Sequence, residues 1–90
     1  MSQKEKRLLR LFKNPPIKDF TWEELLAVTR AASFKENCKG GSHYDFTHSS
    51  GLSFHASKTH PTGLLKRYQI MDAREALVQV GEAPKILGVR

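Results

Sequence analysis

Lys39-Gly40-Gly41-Ser42-His43-Tyr44-Asp45-Phe46-Thr47 reads as a turn that feeds a half-buried strand. The two adjacent glycines let the chain reverse, because glycine enters left-handed backbone conformations without a Cβ penalty. Beyond them, Tyr44 and Phe46 alternate with His43, Asp45 and Thr47 at the strand period, so the aromatic pair faces a core and the polar set faces away from it. Upstream, Ser33 to Lys39 alternates more weakly through Phe34, Glu36 and Cys38, and the turn joins this stretch to Ser42–Thr47 as a hairpin. Downstream, Ser49-Ser50-Gly51 is a second turn, after which Leu52, Phe54 and Ala56 alternate with Ser53, His55 and Ser57. Three antiparallel strands are expected, each apolar on one face only.

Helices flank this unit. Thr21-Trp22-Glu23-Glu24 is a capping box that opens a helix over Thr21–Ala32, with Trp22, Leu25, Leu26 and Thr29 on one side. Asp72-Ala73-Arg74-Glu75 repeats that logic ahead of the stripe Ala73, Ala76, Leu77 and Val80, and Gly81 ends the helix. Leu64 to Ile70 fits either a backward extension of this helix or a short extended piece, with Lys66 and Arg67 solvated in both cases. Lys4 to Lys13 forms a basic amphipathic helix that buries Leu8 and Phe12, stopped by Asn14-Pro15-Pro16. Ser57 to Gly63 is a polar loop, and Ala83-Pro84 begins a loose tail.

The reading is an α+β chain of order α-β-β-β-α behind an N-terminal helix: a basic extension over 1–20, a domain over 21–82 and a tail over 83–90. Each helix has one apolar stripe and the sheet one apolar face, so both main helices pack on the same side. The other sheet face stays open. It carries His43, Asp45, Thr47, Ser53, His55 and Ser57, a polar set that no core requires.

Ninety residues suit one small domain, which disfavours a deep enclosed pocket. Fifteen Lys and Arg against nine Asp and Glu give a net charge of +6, which favours an acidic partner such as nucleic acid, and a membrane surface or an acidic protein fits that charge equally well. The single Cys38 excludes an intramolecular disulfide and a multi-cysteine zinc site. The longest apolar runs are too short for a signal-peptide core or a membrane span, so a cytoplasmic protein with no membrane partner is expected.

The element order matches that of a double-stranded-RNA-binding domain, and particular residues go further. Gly41-Ser42-His43 before an aromatic-bearing strand, then Phe54-His55, His60-Pro61 and the closing Asp72-Ala73-Arg74-Glu75-Ala76-Leu77 up to Gly81, resemble the HicA toxin family. The resemblance spans roughly Trp22 to Gly81. It implies a small ribonuclease of a type II toxin-antitoxin module that cleaves mRNA with the histidine of the Gly-Ser-His motif and is silenced by a HicB-type antitoxin protein. His43 then carries the catalytic role.

The residues support such chemistry independently. RNA supplies its own nucleophile, the 2′-hydroxyl, so cleavage needs a base, a proton donor and cations near the phosphorane. Imidazole exchanges protons near neutrality, which makes His43 the base or acid and His55, on the same face of the next strand, the second proton carrier. Lys39, Lys58 and Arg67 are candidate phosphate-neutralising groups, and Gly41 and Ser42 complete the candidate RNA-binding set. His48 falls on the Tyr44 and Phe46 side, at a strand end. The histidines lack the short helical spacing of zinc ligands, so neither a metal nor another cofactor is expected. The alternative is a non-catalytic RNA-binding module of the same fold.

Overall fold

The computed structural model describes residues 3–58 and 62–84. The His60-Pro61 pair and the tail beyond 84 lie outside the described residues. In chain order the elements are α1 (Gln3–Leu11), α2 (Trp22–Ala31), β1 (Phe34–Gly40), β2 (His43–His48), β3 (Ser53–Ser57) and α3 (Arg67–Gln79). The three strands form one antiparallel sheet in the order β1-β2-β3.

Helix α2 begins where its capping box dictates. Thr21 Oγ1 accepts from the Glu24 backbone N–H at 3.1 Å, and Glu24 Oε1 accepts from the Thr21 N–H at 3.0 Å. It ends against Ser33, which takes the left-handed conformation (φ +71°) that glycine more often fills at a helix C-terminus. The chain then enters β1, and Arg30 pairs with Glu36 to tie the helix end to that strand.

The weak alternation in β1 has a structural cause: its inner-face series Phe34, Glu36, Cys38 runs from buried to exposed, so only Phe34 reaches the core. Gly40 (φ +137°) and Gly41 (φ +57°) make the turn, with a bulge between Cys38 and Gly40 that pairs Gly40 with His43. The second hairpin pairs Phe46 with Phe54 and Tyr44 with Ala56.

Both main helices cover one sheet face. Trp22 of α2 lies 5.2 Å from the Tyr44 ring and edge-on to Phe46 at 5.8 Å, while Phe46 stacks on Phe54 at 4.9 Å. Ile70, Ala73 and Leu77 of α3 join the same buried cluster. Leu11, Phe12 and Phe20 belong to it as well, so the segment before Thr21 is part of one packed body, with Arg10 of α1 paired to Glu24 of α2 and Lys4 and Lys6 left to solvent. His48 sits on the core side as expected, edge-on to Phe34 at 5.1 Å.

One expectation about the last helix is corrected. Asp72-Ala73-Arg74-Glu75 does not start a helix; α3 already begins at Arg67 and runs through it. The reason is a partner that the Asp72 pattern cannot reveal: Gln69 Oε1 accepts from the Lys66 N–H at 2.9 Å, and Gln69 Nε2 donates to the Ser57 carbonyl at 2.7 Å. Upstream of this start the chain is extended, with Leu64 bridging Thr21 and the Leu65 N–H donating to the Phe20 carbonyl at 2.9 Å. Both options for residues 64–70 are therefore realised, one after the other. Arg74 donates from Nε to the Leu11 carbonyl at 2.8 Å and also to the Lys13 carbonyl, closing the C-terminal end of α1. No helix among the described residues is long and apolar enough to cross a membrane.

Candidate functional site

Strand alternation alone puts His43, Asp45, His55 and Ser57 on the outer sheet face, and pairing register decides which of them meet. His43 stands opposite Ser57, and Asp45 opposite His55. The two imidazoles are thus diagonal neighbours on adjacent strands, a relation that spaces residues by about 7–8 Å.

Each ring is held by a different partner. His43 Nδ1 and Ser57 Oγ are hydrogen-bonded at 3.1 Å. His55 Nδ1 contacts Asp45 Oδ1, and Lys39 Nζ lies 3.4 Å from Asp45 Oδ2. The hydrogen bond from His55 holds the Asp45 carboxyl below its ordinary range, with Lys39 adding to the effect. An ionised carboxylate only accepts, so the His55 nitrogen facing it must carry the proton. In the neutral ring that leaves the Nε2 lone pair free, on a side chain that is 75% exposed. Asp45 itself is mostly covered, its side chain 24% exposed, so it buttresses the ring and does not compete for ligand.

These groups line a cleft of about 370 Å³, bounded by Lys39, His43, Tyr44, Asp45, His55, Ala56, Ser57, Tyr68 and Gln69. Of the residues singled out in the sequence, Lys39, His43 and His55 come together there. Gly41, Ser42, Lys58 and Arg67 do not line it. Gly41 and Ser42 form the turn beside it, where the Ser42 carbonyl accepts from the Lys58 N–H at 2.8 Å. Arg67 is the exposed first residue of α3.

Sequence reasoning missed three contributors. Asp45 was placed on the correct face without its buttressing role, although a hairpin centred on Ser50 pairs 45 with 55 and is legible in advance. Tyr68 and Gln69 carried no signal, since their place beside the sheet depends on where α3 starts and how it docks. Among the described residues, no three His, Cys, Asp or Glu side chains gather to hold a metal ion. Cys38 is exposed and outside the cleft, its Sγ 3.5 Å from the Gly41 carbonyl oxygen.

The arrangement offers two proton-exchanging rings, one backed by a carboxylate, beside one ammonium on an open surface. No family model, curated protein or solved structure gives a match to this chain, so its functional reading rests on these residues.

Proposed function

We propose that this chain is a ribonuclease toxin of the HicA type, which cleaves single-stranded mRNA by metal-independent attack of the 2′-hydroxyl and is neutralised by a HicB-type antitoxin. The observation that carries the reading is the diagonal His43 and His55 pair, with Asp45 behind one ring and Lys39 beside it. The α-β-β-β-α order with one uncovered sheet face is read as a double-stranded-RNA-binding-domain-like fold adapted to cleavage.

In the reaction one imidazole takes the proton from the 2′-hydroxyl, and the O2′–P bond forms. The P–O5′ bond breaks as the other imidazole protonates the leaving oxygen, which yields a 2′,3′-cyclic phosphate and a 5′-hydroxyl end. Lys39 lines the same cleft and is the cation proposed to offset the charge that builds on the phosphorane. One ring must be neutral and the other protonated, so the rate should pass through a maximum with pH. An exposed site of this kind is silenced most simply by a protein laid over the sheet, and the chain's net charge of +6 suits an acidic covering face.

The test is to incubate the full chain and its His43→Ala variant with end-labelled single-stranded RNA in excess chelator. The parent should leave cyclic or 3′-phosphate ends, and the variant should cleave about 10²–10⁴-fold more slowly. Intact RNA with both proteins, each folded by circular dichroism, would move the assignment to a non-catalytic RNA-binding module.

A further inference from the structure

Among the described residues that line the cleft, Tyr68 is an exposed aromatic that the cleavage chemistry does not use. It is the second residue of α3 and is 61% exposed. Its backbone is rigidly placed nonetheless: the next residue, Gln69, is 3% exposed and donates to the Ser57 carbonyl at 2.7 Å, which pins the first turn of α3 to the end of β3. The ring lines the cleft together with Lys39, His43, His55 and Ser57.

We propose that Tyr68 forms a nucleobase subsite, stacking one unpaired base of the RNA whose neighbouring phosphate lies between the two imidazoles. Three observations point the same way. An aromatic face left in water on a fixed backbone is a platform prepared for another flat ring, and base stacking on such platforms tolerates any sequence. The cation and the proton carriers line the same cleft as Tyr68, so base and phosphate of one nucleotide can be met at once. The cleft volume of about 370 Å³ lies at the small end of ligand sites, which suits a single nucleotide unit rather than a double helix.

The consequence is selectivity. A duplex keeps its bases stacked on one another and offers no free face, so Tyr68 favours single strands without reading their sequence. The subsite rests on the RNA-cleaving reading of the same cleft. Met71 and Val78, also exposed on α3, do not border the cleft.

The experiment measures binding of a short 2′-O-methyl RNA carrying 2-aminopurine, which lacks the attacking hydroxyl, to the full chain and its Tyr68→Ala and Tyr68→Phe variants. Trp22, 2% exposed in the core, reports folding of each by its emission. The parent should quench 2-aminopurine on binding. Tyr68→Ala should bind about 5- to 100-fold more weakly without quenching, in line with the loss of one stacked base. Tyr68→Phe should match the parent, and a duplex probe should bind parent and Tyr68→Ala alike.

Unchanged binding by Tyr68→Ala, or no binding by the folded parent, overturns the subsite, and in the first case leaves the ring to a protein-docking surface with Met71 and Val78. An equal loss in Tyr68→Phe also overturns it, by assigning the effect to the hydroxyl. Parallel cleavage assays separate the two readings. A parent that cleaves while Tyr68→Ala keeps full binding and cleavage loses only the subsite; Tyr68-dependent binding without cleavage supports the subsite and ends the ribonuclease assignment.

Discussion

Asp45 shows how a single strand residue organises the surface around it. Its carboxylate receives the His55 ring on one oxygen and the Lys39 ammonium on the other, and the His55 hydrogen bond is the main reason it stays ionised below its usual range. The same contact fixes which His55 nitrogen carries the proton, and so which one faces a substrate. Replacing Asp45 with Asn removes the charge and lets the amide present a donor in place of an acceptor. On the ribonuclease reading, Asp45→Asn should lower kcat at least about tenfold with little change in KM, the mark of an orienting group rather than a binding one. Steady-state cleavage kinetics check this, and Asp45→Glu should recover part of the loss. A KM effect alone would make Asp45 a spacer between Lys39 and the RNA.

At the scale of elements, the two main helices start by different means. The α2 capping box is complete, and Thr21→Ala should cost about 1 kcal/mol in denaturant unfolding. Its second member also gives the fold an acid sensitivity. Burial pushes the Glu24 carboxyl up, but hydrogen bonds from Arg10 and Thr21 outweigh it, and the net direction is below the ordinary value of 4.5. A carboxyl lowered in the folded state stabilises the fold above that value, and this contribution is lost as pH falls through the folded one. Unfolding midpoints of the parent should therefore drop on acidification below about pH 4.5, and Glu24→Gln should be flatter across that window. Helix α3, by contrast, has only Gln69 reaching back to Lys66, since a lysine side chain has no acceptor to return the bond. The Thr21 box was legible because every partner lies within one turn. The start of α3 was not, because Gln69 is held by Ser57, twelve residues away and in another element.

Leu11, Phe12 and Phe20 share one apolar cluster with Trp22, Phe46 and Leu77, and Arg74 of α3 binds the carbonyl end of α1. Helix α1 is thereby structural on one side, whatever its lysines do on the other. Leu11 is fully buried, so Leu11→Ala should cost about 2–5 kcal/mol, a large share of the stability of a domain this size. Equilibrium denaturation with Trp22 emission as the probe measures it, and a cost near zero would mean that α1 is only loosely attached. A loss of that size should also reduce cleavage in step with the unfolded fraction, since Leu11 does not line the cleft.

By itself the sequence determined the three one-sided strands, the α2 start and the outward direction of His43 and His55, because alternation, turns and caps are written within a few neighbouring residues. Tertiary structure alone decided that α3 begins at Arg67, that Arg74 serves α1 and that Tyr68 stands at the rim of the cleft beside Lys39 and the two histidines. Those facts depend on where one packed element meets another. The free energy that selects them comes from burying a shared core, a property no local pattern contains.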